Sequence, residues 1–330
     1  MKLIVDSPRC SHVSFDTVAE FEGAILADPQ VGVAQPTGRF FAEFQSMLHR
    51  IVRKFGYSII PDIMPERALD PMGDPRHLFA VMMRLDAIPF GDYGLVWSGN
   101  RSAFIFDAWP DRHDSIVALA REYKINHLFV SASQAADALR ACLRKTCVHW
   151  IPEGINPREY RFYPPEEKWI DVLALGRKYD AYHQSIVGHC EKSQMCYRYE
   201  QVKGQLVFDS RGEFIEGLAR SKIMICVPSS VTHPERSGAV ETMTIRYLQA
   251  MASKCLVLGH MPAEMGELFD YQPVIEIDMQ QPTHQLDSIL DRYADFIPLI
   301  ERNHQAVLEH HTWSGRWEQI KMIYQNVKLA

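Results

Sequence analysis

Short apolar runs that alternate with amphipathic stretches of helical period are the feature that most limits how this chain can fold. Such alternation favours a parallel sheet covered by helices on both faces. It occurs twice, on either side of residues 151–169, IPEGINPREYRFYPPEEKW, where four prolines and a glycine interrupt any period. The sequence therefore predicts two doubly wound α/β domains facing a cleft.

The predicted strands are apolar runs bounded by turn residues. They are Lys2–Val5, Ser58–Ile60, Gly94–Trp97, Ala103–Phe106, His127–Val130, Cys147–Ile151, Trp169–Ala174, Leu206–Phe208, Ile223–Val227, Leu256–Leu258 and Val274–Ile277. Amphipathic helices are expected over residues 41–52 and 135–142. The last segment, HTWSGRWEQIKMIYQNVKL, predicts a helix with Trp317, Ile320, Ile323 and Tyr324 at helical spacing. We place the first domain at 1–160 together with 311–330, and the second at 161–310.

Charge and cysteine content exclude several classes of protein. A net charge of −6 argues against binding nucleic acid through phosphate neutralisation. The seven cysteines are scattered and odd in number, which indicates neither a disulfide framework nor a zinc ribbon and favours a reducing cytosol. The start of the chain, MKLIVD, is too short an apolar run for a secretory signal, and no run approaches the ~20 residues of a spanning helix.

The most informative stretch runs from Ile223 to Phe269. A buried strand ends in CVPSS, a polar loop HPERSG follows, a helix is expected from about Ala239 to Ser253, and LVLG forms the next strand. Ser237 and Gly238 stand just before the predicted helix, where its N-terminus offers unpaired N–H groups to an anion. Neither GxGxxG nor GxxxxGK[ST] occurs, which argues against an ordinary dehydrogenase and against a P-loop NTPase.

This segment resembles the nucleotide-sugar half of glycosyltransferases with the two-domain B-type (GT-B) fold, particularly the retaining family-4-like group. LALGRKY (173–179) resembles the strand that opens their second domain. HWIPEGINPREY (149–160) resembles the segment that closes the first, and LFVSASQAADALR (128–140) the strand and helix before it. HTWSGRWEQI resembles the terminal helix that crosses back to the first domain. The resemblance covers about residues 104–325, and the first hundred residues match no family we can name.

The resemblance implies a pair of side chains that hold the donor. In the family, two glutamates separated by seven residues contact the transferred sugar and the ribose hydroxyls. Here the pair is Glu241 and Gln249, and eight residues of helix span about 12 Å. The amide of Gln249 departs from the pattern but still donates to and accepts from hydroxyls. In a second alignment, which needs six inserted residues, ERSG makes Glu235 the sugar-contacting acid. We favour Glu241.

Cations and hydroxyls are expected at the departing diphosphate. The resemblance implies that Arg177 and Lys178 stabilise its charge, with Arg246 and Arg236 as alternatives for the second cation, and that Ser229 and Ser230 donate hydrogen bonds. The predicted donor-binding residues are Gly176, Arg177, Lys178, Ser229, Ser230, Glu235, Gly238, Glu241, Thr242, Arg246 and Gln249, and the predicted catalytic residues are Glu241, Arg177, Lys178 and Asp107.

In the first domain, FIFDAWPDRHD (104–114) resembles the family's HDxxP turn. Phe106 occupies the position of the family's histidine, and Asp107 keeps the acid. Asp107 either orients an acceptor hydroxyl or caps the next turn, and His113 is a possible substitute for the missing histidine.

We therefore expect a hexosyltransferase-like enzyme that transfers a sugar from a nucleotide-diphosphate donor to a glycan, lipid-linked or small-molecule acceptor with retention. No DxD triplet occurs, so we expect no metal and no cofactor. The stretch FFAEFQSMLHRIVRKF (40–55) is either a core-facing helix or a peripheral contact with the inner face of a membrane. The alternatives are a nucleotide-sugar epimerase on the same fold and a non-catalytic protein that binds a nucleotide sugar or a protein partner.

Overall fold

The structure is a computed structural model that describes residues 1–5, 15–35, 72–83, 100–176, 178–202 and 204–327. The predicted strands at 58–60 and 94–97, the predicted helix over 41–52 and the basic stretch 40–55 lie outside the described residues. The chain forms two compact units, Met1–Pro152 with Trp313–Ala330, and Glu153–Thr312.

The first unit is built on a parallel sheet whose strands follow the order β2-β1-β3-β4-β5-β6. These strands are β1 (Lys2–Ile4), β2 (Gly32–Val33), β3 (Leu78–Met82), β4 (Arg101–Ile105), β5 (His127–Val130) and β6 (Cys147–Trp150). The helices between them are α1 (Asp16–Leu26), α2 (His113–Glu122) and α3 (Ser133–Cys142). Every residue of β3, β4 and β5 is buried, as expected for central strands covered on both faces.

The second unit has a parallel sheet of order β11-β10-β9-β7-β8. Its strands are β7 (Ile170–Ala174), β8 (Tyr197–Arg198), β9 (Ser221–Cys226), β10 (Leu256–Gly259) and β11 (Ile275–Glu276). Its helices are α4 (Asp180–Lys192), α5 (Arg211–Ala219), α6 (Ser229–Thr232), α7 (Pro234–Ser237), α8 (Ile245–Ala252), α9 (Met265–Leu268), α10 (Pro282–Asp291) and α11 (Ile297–His310). The prediction of two parallel α/β sheets is confirmed.

The last helix, α12 (Trp313–Val327), packs on the first unit. The ring of Trp313 stacks on Phe21 of α1 with centroids 4.5 Å apart, and the indole N–H of Trp317 donates to Asp28 at 3.0 Å. The predicted terminal helix is confirmed, and its aromatic face lies in the core of that unit. Among the described residues, no helix is both long enough and apolar enough to cross a membrane.

The predicted strand at Leu206–Phe208 is wrong, because these residues precede a helix instead of joining the sheet. The hydroxyl of Ser210 accepts from the Glu213 N–H at 3.2 Å, and the Glu213 carboxylate accepts from the Asp209 N–H at 3.0 Å. This reciprocal capping starts α5. The ring of Phe208 covers the backbone of Gly217 on that helix, so its apolar surface is partly buried there.

A buried lysine fixes the edge of the second sheet at which its strands begin. Lys168 is 4% exposed, and its ammonium group donates to the carbonyls of Ala219 at 3.0 Å, Ser221 at 2.9 Å and Ser253 at 3.0 Å. These carbonyls belong to the end of α5, the start of β9 and the turn after α8. One cation therefore joins three segments at the edge opposite the carboxyl ends of the strands.

Candidate functional site

The carboxyl ends of the strands in the second sheet form one edge, because all five strands are parallel. We call the loops that follow β7, β8, β9 and β10 the strand-end site. Parallel α/β sheets bind ligands at this edge, beyond the strands and against helix N-termini. Nearly all the residues predicted to bind the donor lie on these loops or on α8, which follows the longest of them.

The loop after β7 carries the predicted glycine and cation. Gly176 has a positive φ of 65° and is exposed, with open space where a side chain would start. The ammonium group of Lys178 donates to the Glu200 carbonyl at 2.8 Å and lies 5.2 Å from the centre of the Tyr199 ring. Lys178 thus connects the loop after β7 with the segment after β8. Arg177 lies outside the described residues, and its predicted role stays a prediction.

The ring of Tyr199, beside this cation, belongs to an aromatic group. The rings of His183 and Tyr199 have centroids 4.6 Å apart, and His183 Nδ1 lies 3.1 Å from the Tyr197 hydroxyl. Burial lowers the pKa of His183 below its ordinary value of 6.5, and the charge of Lys178 lowers the pKa further. The imidazole is therefore neutral at pH 7, and Lys178 supplies the positive charge of this group.

Arg246 joins the two central loops of the site. Its guanidinium donates to the carbonyl of Leu175, just after β7, at 3.2 Å, and to the carbonyl of Val227, just after β9, at 3.4 Å. A guanidinium has five N–H donors and stays charged in proteins. Arg246 thus fixes the spacing of the two loops and places a permanent positive charge between them.

The loop after β9 presents hydroxyl groups. Ser229, the first residue of α6, is 4% exposed. The side-chain oxygens of four other residues are shielded from solvent and make no hydrogen bond within the part of the chain that the structure describes. They are Ser230, Thr232, Thr242 and Thr244. A shielded hydroxyl without a partner costs about 1–3 kcal/mol, and a ligand that supplied partners would remove that cost.

The helix predicted to begin at about Ala239 begins at Ile245 instead, and the earlier start is wrong. Gly238 has φ 54° and ψ −133°, a conformation outside the helical region, and it ends the short helix α7. Thr244 is extended, with ψ 162°. Glu241 therefore lies on a loop, and the helical spacing to Gln249 does not apply to it. Gly238 likewise ends α7 and does not start α8.

The two acids considered for the sugar differ in their surroundings. Glu241 is partly buried, and its carboxylate accepts from the Ala263 N–H at 3.1 Å, which ties the loop after β9 to the loop after β10. Glu235 lies exposed on α7. Glu241 is thus held in place by the protein itself. Its contact with a sugar stays a prediction.

Gln249 lies on α8 and is 6% exposed. Its side-chain nitrogen donates to the hydroxyl of Tyr160 at 3.1 Å. One N–H of the amide thus bonds within the protein. The predicted bond to a ribose hydroxyl is left to the other N–H or to the amide oxygen. Gln249 therefore forms a buried polar link between α8 and the segment around Tyr160, a contact that the sequence does not indicate.

In the first unit, Phe106 and Asp107 directly follow β4. Phe106 is 4% exposed and packs edge-on against Trp313, with centroids 5.6 Å apart, so it is a core residue. Asp107 is partly exposed, and its N–H donates to the Met83 carbonyl at 3.0 Å. His113 starts α2, and its Nε2 lies 3.1 Å from the Ala108 carbonyl oxygen. The roles of Asp107 and His113 toward an acceptor stay predictions.

No protein-family profile matches this sequence, and no curated protein sequence matches it. Solved structures do match. A glycosyltransferase from Rickettsia africae superimposes with a TM-score of 0.54 at 10% identity, covering 99% of this chain and 97% of its own. The sucrose-phosphate synthase of Thermosynechococcus elongatus gives 0.54 at 13% identity, covering 99% and 98%. HepE of Anabaena, solved in complex with UDP, gives 0.57 at 8% identity, covering 98% and 99%.

The chain has the GT-B fold. The sequence predicts which loops form the site, but it does not indicate the residues that hold these loops in place. Glu276 of β11 accepts from the Met261 N–H at 2.8 Å and lies 3.0 Å from His260 Nδ1, and the buried Tyr247 hydroxyl donates to the His260 carbonyl at 2.7 Å. These bonds fix the loop that holds Glu241. No sequence motif marks them, because they depend on which strands are neighbours.

Proposed function

We propose that this chain is a glycosyltransferase that binds a nucleotide-diphosphate sugar at the strand-end site and transfers the sugar to an acceptor. One observation carries the proposal. Lys178, the Arg246 guanidinium and the hydroxyl-rich loop after β9 converge on the carboxyl ends of β7 and β9 in a chain with the GT-B fold. Cations and hydroxyl donors are what a diphosphate requires.

In the proposed donor complex, each group has a separate role. Lys178, Arg177 and Arg246 offset the diphosphate charge, which grows as the glycosidic bond breaks. Ser229, Ser230 and Thr242 donate hydrogen bonds to phosphate or ribose oxygens. Glu241, held by the Ala263 N–H, orients the sugar. Gln249 contributes its amide oxygen to the ribose, since its nitrogen already donates to Tyr160.

We propose transfer with retention and without a metal ion. The acceptor oxygen attacks the anomeric carbon from the face that the diphosphate leaves, the bond from that carbon to the phosphate oxygen breaks, and the acceptor proton passes to the departing phosphate. Two protein cations near the strand ends and the absence of a DxD triplet from the sequence favour protein groups over a metal as the counter-charge. The acceptor would be a glycan, a lipid-linked sugar or a small molecule.

Calorimetry with UDP, GDP, dTDP and ADP tests the donor site. We expect one of them to bind, and Lys178→Met to weaken its binding about 10- to 100-fold, the worth of one hydrogen bond to a charged group. Lys192→Met is the matched control, because Lys192 is an exposed lysine at the far end of α4, about 18 Å along that helix from its start. Absence of binding by all four, or equal effects of the two substitutions, contradicts the proposal.

A non-catalytic nucleotide-sugar-binding protein is the second candidate. The resemblance leads one to expect a histidine at position 106 and a glutamate at position 249. Instead, Phe106 is a buried core residue, and the amide of Gln249 donates to Tyr160. Incubation of the bound donor with and without acceptors separates the candidates. Turnover of the donor supports the transferase, a new sugar epimer supports an epimerase, and tight binding without any turnover supports the non-catalytic protein.

A further inference from the structure

Among the described residues, one group of side chains of the kind that binds metals is close enough to share an ion. It consists of His127, Cys147 and His149, whose ligand atoms all lie within 4.8 Å of one another. The group lies in the first unit, on the neighbouring strands β5 and β6. His127 and Cys147 are the first residues of their strands, so the group lies toward the amino edge of this sheet, opposite the edge at which Asp107 follows β4.

Strand register explains why the three side chains converge. His127 pairs with Cys147, and Phe129 pairs with His149, in a parallel ladder. Side chains two residues apart on a strand point to the same face, and paired residues of neighbouring parallel strands share a face as well. His127, Cys147 and His149 therefore project from one face of the sheet, and this placement follows from the backbone rather than from chosen side-chain rotamers.

The distance between the two imidazoles fits a tetrahedral ion. His127 Nδ1 and His149 Nε2 are 3.3 Å apart. With metal–nitrogen bonds of about 2.1 Å, the nitrogen–nitrogen edge of a tetrahedron is about 3.4 Å, and without an ion the same separation serves a long hydrogen bond between the rings. The two rings are also nearly parallel, at 17°. A metal–sulfur bond of about 2.3 Å requires the Cys147 side chain to rotate toward the two nitrogens, from which its sulfur lies no more than 4.8 Å.

Neighbouring aromatic rings hold the ligands in place, and two of the three ligands are accessible to an ion from solvent. His127 is 4% exposed and meets the edge of Tyr324 of α12, with centroids 5.1 Å apart, while His149 stacks on Phe129 at 5.2 Å. Cys147 and His149 are both partly exposed.

We propose that His127, Cys147 and His149 form a site for Zn²⁺, with water in the fourth position. Two imidazoles and a thiolate in tetrahedral geometry are a donor set that suits zinc. Binding releases the thiol proton of Cys147 and moves the shared imidazole proton to a nitrogen that faces away from the ion. The ion joins the edge strand β6 to β5, and the proposed transfer reaction does not involve it.

The test uses the full chain after treatment with a chelator. Co²⁺ is titrated as a spectroscopic probe, and Zn²⁺ is then added to displace it. We expect one equivalent of Co²⁺ to produce visible bands of tetrahedral intensity together with a thiolate-to-cobalt band in the near ultraviolet, and Zn²⁺ to remove both. Zn²⁺ should also raise the melting temperature, because it binds the folded chain.

Matched variants identify the ligands. Cys147→Ser should abolish the thiolate band, and His149→Gln should weaken Co²⁺ binding by at least about tenfold, since changes even outside the ligand set cost 10- to 100-fold. Cys142→Ser is the control, because Cys142 is an exposed cysteine of the same unit outside the group. The proposal is overturned if the unaltered chain gives no tetrahedral bands, if Cys147→Ser keeps the thiolate band, or if Cys142→Ser loses it.

Discussion

Replacement of Lys168 by methionine should destabilise the second unit strongly. Methionine keeps the length and the apolar stem of the side chain but removes the ammonium group that donates to the carbonyls of Ala219, Ser221 and Ser253. A hydrogen bond to a charged group contributes about 1.5–3 kcal/mol. The three bonds share one cation whose burial is itself costly, so they do not add fully. Each buried carbonyl left without its donor costs about 1–3 kcal/mol, and part of this is offset because the charge is no longer buried, so we expect a loss of about 3 kcal/mol.

Equilibrium unfolding in urea, followed by circular dichroism, measures this loss. Lys222→Met is the matched control, since Lys222 lies on β9 with a side chain 28% exposed and pairs with Asp171 at 2.8 Å. Exposed pairs contribute about 0–1 kcal/mol, so the control should change the free energy of unfolding by no more than that. If Lys168→Met lies within about 1 kcal/mol of the control, the three carbonyl bonds do not hold the sheet edge together, and the reasoning fails.

Two further substitutions test the packing of the units. Gly259→Ala should destabilise the chain by about 2 kcal/mol or more in urea unfolding, because the added Cβ meets the Cys226 carbonyl, whereas Gly266→Ala, with open space, should be near neutral. Asp28→Asn should destabilise at pH 7. Burial raises the pKa of Asp28, but hydrogen bonds from the Gln30 N–H, Lys321 and Trp317 outweigh it and hold the pKa below 3.8. That stabilisation is present above pH 3.8 and is lost as the pH falls further, so the stability difference from Asn should shrink in acid; a constant difference would contradict the assignment.

The fold was predictable where burial leaves a clear pattern. β5 and β9 are continuous apolar runs between turn residues, since helices cover both faces of each. β3 was missed, and so were β2 and β8, which have only two residues each and thus no period. The Leu206–Phe208 run is as apolar as a strand, but Phe208 packs on α5 and Leu206 is exposed, an outcome that depends on the capping residues beside the run.

The site was predictable as a set of loops but not as a set of contacts. The order of elements placed Lys178, Glu241 and Arg246 near the ends of parallel strands. Their partners could not be read from the sequence, because strand order decides which loops are neighbours. Lys178 meets Glu200, 22 residues away, and Gln249 meets Tyr160, 89 residues away. The late start of α8 at Ile245 also follows a turn at Gly238, whose positive φ a glycine permits but does not require.

Release of a nucleoside diphosphate from a nucleotide sugar tests the central claim most directly. The chain is incubated with the sugar nucleotides of whichever base binds, with water or an added sugar as acceptor, and the freed diphosphate is measured over time. We expect release from the unaltered chain and a fall of about 100-fold or more in Glu241→Gln, which keeps the size of the side chain but loses the charge that orients the sugar. Release that is unchanged in Glu241→Gln, or a chain that binds a donor and never turns it over, would contradict the account.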